Sequence, residues 1–237
     1  MKKGFLFILF GCLCLSIISC GPRIGKPTTE KREVTETSFI DISAPVDATI
    51  TIQQGAQPYV YLKGHPTDLK KIKTEMKDGV LRIYSDEDIH FGMDDVKAEI
   101  MVSSLSQLEL SGASDVKTVG RIAGPSFTLN VSGAGDIEIA DLNTENLTID
   151  ASGAADITIK SGKVKNAQYE FSGAGDLKAY GLQSDIASAS VSGAGDIKLN
   201  VTQQLSAEIS GAGSIKYKGH PVVTSDVSGI GSISDGN

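Results

Sequence analysis

A five-residue bend recurs seven times in the second half of this chain, and no other feature constrains the fold as tightly. Four copies are Ser111-Gly-Ala-Ser-Asp115, Ser132-Gly-Ala-Gly-Asp136, Ser152-Gly-Ala-Ala-Asp156 and Ser172-Gly-Ala-Gly-Asp176. Three more follow: Ser192-Gly-Ala-Gly-Asp196, Ser210-Gly-Ala-Gly-Ser214 and Ser228-Gly-Ile-Gly-Ser232. Successive serines lie 21, 20, 20, 20, 18 and 18 residues apart, a spacing that marks a repeat architecture. Apolar residues flank each bend at alternate positions, as in Leu129 and Val131 before it and Ile137 and Ile139 after it. That is the period of a strand with one buried face.

Each repeat therefore reads as strand, small-residue bend, strand, then a connecting stretch with polar residues and an occasional Leu142 or Leu182. About twenty residues fit one solenoid coil of three short faces but are too few for a two-helix repeat. The β-branched content also opposes helix. A leucine-rich repeat has a similar period, but its leucine-and-asparagine signature is absent. The sequence predicts an all-β chain: a parallel β-helix of roughly 20-residue coils over 103–237, with a less regular β-rich part over 38–102. Equivalent residues in successive coils would stack about 4.8 Å apart.

The second bend position is glycine in all seven copies: Gly112, Gly133, Gly153, Gly173, Gly193, Gly211 and Gly229. Either a positive φ or a contact too close for a Cβ would require it. The fourth position also accepts Ser114 and Ala155, so it reads as less demanding. In the N-terminal part, Ser43 to Asp47 followed by Thr49 to Ile52 reads as a degenerate copy of bend and strand. Tyr59–Leu62 and Val80–Tyr84 read as strands, and Asp78-Gly79 as a turn. Leu69 to Lys77 fits a short helix or a strand, and this region is expected to cap or open the solenoid.

The start of the chain is of another kind. Lys2 and Lys3 precede an apolar run from Phe5 to Ile18, and Ser19 stands directly before Cys20. A basic start, a short apolar core and a small residue at the cut describe a secretory signal peptide over 1–19. Ile17-Ile18-Ser19-Cys20 resembles the lipobox of bacterial lipoproteins, which implies a lipidated Cys20 as the mature N-terminus. Cys12 and Cys14 would leave with the signal, so the mature chain would carry neither a free thiol nor a disulfide. Residues 20–37, with Pro22, Pro27 and a mixed-charge run, read as the lipidated cysteine and a flexible tether.

Without Lys2 and Lys3, 20 basic residues face 29 acidic ones, a net charge of −9. Such a surface repels nucleic acid and anionic headgroups. There is no tryptophan, so a stacking platform for sugars or bases is not evident. The expected partners are the membrane, through the lipid anchor, and an envelope protein, a host surface or a glycan.

The repeated bends, the lipoprotein start and the irregular N-terminal half together resemble the bacterial putative auto-transporter adhesins with a head GIN domain. The resemblance covers about residues 38–233 and implies a β-helical fold in a secreted or envelope protein, with no catalytic residues. An auto-transporter needs a C-terminal membrane barrel; the sequence ends at Asn237 just past the last bend, so export by that route is not expected.

Among candidate sites, the aspartate column is the sharpest: Asp115, Asp136, Asp156, Asp176 and Asp196. Stacked bends would place these carboxylates about 5 Å apart, where two charges repel by roughly 1 kcal/mol in water. Calcium is one way to relieve this, as in the Gly-Gly-x-Gly-x-Asp repeats of secreted β-rolls. Those loops differ in spacing and in period. The preferred reading is that each carboxylate accepts hydrogen bonds from backbone N–H groups of its bend, near Lys117, Lys178 and Lys198. Ser214 and Ser232 in the last copies fit that role better than calcium binding.

The bend serines lack the strand–elbow–helix context of a hydrolase nucleophile. His65, His90 and His220 lie outside the bends, and no cofactor is expected. Asp86, Glu87, Asp88, His90, Asp94 and Asp95 read as an acidic solvated loop. The leading expectation is a non-enzymatic envelope lipoprotein, lodged in the outer membrane and acting as an adhesin or binding scaffold. A carbohydrate-active β-helix enzyme and a periplasmic interaction module are its rivals.

Overall fold

A computed structural model describes residues 26–43, 48–85 and 96–237. The signal segment, Cys20, the bend at 44–47 and the acidic residues between Asp86 and Asp95 lie outside the described residues. The N-terminal part holds β1 (Thr28–Arg32), β2 (Phe39–Ile42), β3 (Ala48–Gln54), β4 (Tyr59–Gly64), the one-turn helix α1 (Pro66–Leu69), β5 (Ile72–Lys77), β6 (Val80–Ser85) and β7 (Lys97–Val102). The regular part opens with β8 (Gln107–Leu110), β9 (Ser114–Val119), β10 (Arg121–Val131), β11 (Ala134–Ile139), β12 (Asp141–Ala151) and β13 (Ala154–Ile159). It continues through β14 (Gly162–Phe171), β15 (Leu177–Val191), β16 (Asp196–Ile209), β17 (Ser214–Lys218), β18 (Val222–Val227) and β19 (Ser232–Asp235).

These strands form the expected β-helix. One face stacks β6, β2, β8, β10, β12, β14, β15, β16 and β18, all parallel. The face beyond the bend stacks β7, β3, β9, β11, β13, β15, β16, β17 and β19, again all parallel. The connecting stretches are not loops. They are the N-terminal parts of β10, β12 and β14 and the middle of β15, and they build a third face in which Leu142 pairs with Gly162, and Gly162 with Leu182. Both leucines are buried, so each closes the core on its third side.

Burial follows the alternation read from the sequence. Ile137, Ile157, Leu177, Ile197 and Ile215 stack in register in the interior. Fully burying a side chain of this size contributes roughly 1.5–3 kcal/mol. Tyr169 and Phe127 are the largest of the fully buried side chains.

Stacking order departs from chain order at the N-terminal end. The coil of β2 and β3 lies between the coil of β6 and β7 and that of β8 and β9. After β1 the chain thus enters the solenoid in the second coil, descends to build the first, and climbs past the second again. Antiparallel strands close that end: β5 pairs with β6, and β4 with β7. The β5–β6 hairpin turns on Asp78 and Gly79, both with positive φ (52° and 79°), as a two-residue primed turn requires. The stretch Leu69 to Lys77 resolves as the end of α1 followed by β5.

One expectation needs correcting here. Thr28–Arg32, within the stretch read as tether, forms β1 and pairs antiparallel with β4. It covers a sheet edge that would otherwise present unpaired backbone, and Arg32 reaches the Leu69 carbonyl at 3.3 Å. In the degenerate repeat, β2 and β3 stack as expected, with Thr49 paired to Asp115. Five residues separate Ile42 from Ala48, against three between their partners Leu110 and Ser114.

Candidate functional site

The bend glycines are explained by proximity. In Gly133, Gly153, Gly173, Gly193, Gly211 and Gly229 an added Cβ would run into the backbone of the equivalent glycine or serine one coil earlier. None of these has a positive φ. From the second bend on, the N–H after the glycine, Ala134 through Ala212 and then Ile230, donates to the preceding coil's glycine carbonyl, as Ala174 does to Gly153 at 3.1 Å, and this draws the bends together. The fourth position is more demanding than expected. A Cβ at Gly175, Gly195 or Gly213 would also meet preceding backbone, and Gly135 has φ +134°. Ala155 is nevertheless accommodated as a buried side chain, as is Ser114.

Asp115, Asp136, Asp156, Asp176 and Asp196 come together as one column on the outside of the bend. Oδ1 of Asp115 accepts the N–H of Asp136 at 3.1 Å, Asp156 that of Asp176 at 3.0 Å, and Asp176 that of Asp196 at 3.0 Å. Asp196 closes the series, accepting both the N–H of Ser214 (3.1 Å) and its hydroxyl (2.7 Å). The donor is therefore the next coil, not the aspartate's own bend. Lys178 Nζ lies 3.9 Å from Asp156, while Lys160 pairs with Glu138 at 2.7 Å. The Lys160 hydrogen bond, aided by the charges of Lys160 and Lys117, holds the Glu138 carboxyl below its usual range. Among the described residues no cluster of three or more His, Cys, Asp or Glu side chains is placed to hold a metal ion. His65 precedes α1, and His220 lies between β17 and β18.

The other outward columns differ in character from face to face. Beyond the bend, Lys117, Glu138, Thr158, Lys178, Lys198 and Lys216 stack in register. Before the bend, the outward residues two places ahead of each serine are mostly acidic: Asp150, Glu170, Glu208 and Asp226, with Ser190 between. Further back on the same face are two columns without charge. One runs through Asn146, Asn166, Ile186, Gln204 and Val222, the other through Thr148, Gln168, Ser188, Ser206 and Thr224. They line a groove of about 590 Å³. Asn166 Nδ2 donates to Asn146 Oδ1 at 2.9 Å along it. This groove was not anticipated from the sequence. Its signal is an uncharged residue four and six places before each serine, a pattern that stands out only once the copies are superimposed.

Residues 38–221 match the family described as "Putative auto-transporter adhesin, head GIN domain". No curated protein matches the chain. Among solved structures, a putative adhesin from Bacteroides fragilis NCTC 9343 superposes with a TM-score of 0.85 at 25% identity, covering 90% of this chain and 98% of that one. A putative adhesin from Parabacteroides distasonis ATCC 8503 (TM-score 0.72, 23% identity) shares the fold with the same coverage. So does a protein from that organism described as a putative lipid binding protein (TM-score 0.68, 22% identity).

Proposed function

The chain belongs to the putative auto-transporter adhesin family with a head GIN domain, and from that premise we propose that it is a non-enzymatic cell-envelope lipoprotein acting as an adhesin. One observation carries the reading: the solenoid repeats its outward columns coil after coil in unbroken parallel register from β10 to β14. Such a surface offers many copies of one weak contact, which is how multivalent attachment gains avidity. The Cys20 lipobox would supply the anchor, since acyl chains contribute about 0.8 kcal/mol per buried methylene. On this reading it stands in the outer membrane.

The test uses the native bacterium. Removing the gene should lower attachment of whole cells to epithelial or matrix-coated surfaces, and Cys20→Ala should release the protein from the membrane fraction. Protease shaving of intact cells should remove it. Protection from protease would instead point to an interaction module inside the envelope. Release of reducing sugar or unsaturated product from a polysaccharide panel would overturn the non-enzymatic reading.

A further inference from the structure

We propose that the uncharged groove across β12, β14, β15, β16 and β18 binds a neutral glycan strand lying along the solenoid axis. The inference rests on the adhesin reading and gives it a ligand class. The groove falls within the volume of ligand sites generally, roughly 300–1,000 Å³, yet none of its lining side chains is charged. This is notable on a chain that is 22% charged, with the acidic column of Asp150, Glu170, Glu208 and Asp226 alongside. Those carboxylates repel an anionic polymer, and the groove holds no carboxylate to fix a cationic one.

What the groove does present are amides and hydroxyls, which both donate and accept, as sugar hydroxyls do. The side chains of Ser188, Ser206 and Gln204 make no hydrogen bond among the described residues, so they are free for a ligand. Equivalent groups recur about every 4.8 Å, close to the length of one hexose unit, so a contact made in one coil can be repeated in the next. Ile186 and Val222 stand in the same column, 37% and 73% exposed, and offer apolar contact to the C–H faces of sugar rings. Hydrogen-bond ladders and aliphatic contacts would take the part that aromatic stacking plays in tryptophan-bearing sites.

The experiment takes the full chain purified in detergent. It measures retention by soluble neutral mannan, galactan and glucan, with heparin and polygalacturonate as anionic counterparts. Binding to at least one neutral polymer, little changed by salt, is expected. Ser188→Glu and Gln204→Glu should each weaken it about tenfold or more, with unchanged circular dichroism and melting, while Lys198→Glu on the other face binds as the parent does. Failure to retain any neutral polymer, preference for the anionic ones, or parental binding by both groove variants overturns the proposal. If cells carrying Ser188→Glu attach normally while the deletion strain does not, the groove proposal fails and the adhesin reading stands. If the deletion strain attaches undiminished, the adhesin reading itself fails.

Discussion

At the scale of single residues, the bend is held by what its glycines lack and by what its aspartates accept. Gly173→Ala would push a methyl group into the Ser152 and Gly153 backbone, which cannot yield as a side chain can. We expect a loss of about 3 kcal/mol, the upper end of the usual overpacking cost, in a denaturant titration. Gly124→Ala is the contrast: its Cβ would meet nothing closer than 3.8 Å. That substitution should be neutral or stabilise by about 0.4–1 kcal/mol through the unfolded chain. The aspartates give a second pair. Asp176→Ala leaves the Asp196 N–H without its acceptor and should cost about 1 kcal/mol. Asp176→Asn keeps an acceptor oxygen and removes one charge from the ladder, so its stability should stay near the parent's. If both lose stability equally, the charge and not the hydrogen bond holds the bend. Tyr169 adds a pH dependence. Burial pushes its phenol far above the ordinary range, so the folded chain keeps a proton that the unfolded chain releases near pH 10. Stability from this group is full below about pH 10 and is lost as pH rises further. Tyr169→Phe should flatten that alkaline limb in unfolding curves measured at stepped pH.

At the scale of the element, local pattern and long-range order separate. The alternation of Leu129, Val131, Ile137 and Ile139 was legible because period-two burial is written in neighbouring residues. So was the Asp78-Gly79 hairpin, where both residues need positive φ. The stacking of β2 and β3 between two later coils was not legible, because no residue within β2 distinguishes β6 from β8 as a neighbour. Parallel pairing is set by contacts far apart in the chain. The groove was hidden for a related reason: Asn, Gln, Ser and Thr are ordinary surface residues singly, and only register gathers them. A prediction follows from the sandwiched coil. Ile50 is 2% exposed and packs between β7 and β9 despite its place near the start of the fold. Ile50→Ala should therefore cost about 2–5 kcal/mol, as in a fully packed core. A cost under 1 kcal/mol in chemical denaturation would show that this coil is peripheral.

At the scale of the whole molecule, a solenoid is held by nearest-neighbour interfaces, so its stability is distributed along one axis. The two ends differ. One is closed by β1, β4 and β5 in antiparallel pairing, and Gln54 completes the third face there by accepting the Ala123 N–H (2.9 Å) and donating to its carbonyl (3.1 Å). At the other, β18 and β19 pair on one side only among the described residues, and Val222, Val227 and Ile230 are exposed at 73%, 42% and 88%. With neighbours on one side, that coil gains about half of the interface energy an internal coil gains, while ordering it costs the same entropy. Local opening should therefore begin there. Native-state hydrogen exchange of the full chain should show β18 and β19 exchanging first, β10 to β16 last, and β2 and β3 with the slow group. Because the groove ends at Val222 and Thr224 on the opening coil, a ligand spanning β12 to β18 binds only the closed form. It should slow exchange in β18 by the mass-action factor of its occupancy. Protection confined to β19, or none in β18 at saturating neutral polysaccharide, would mean that the ligand does not reach the last coil.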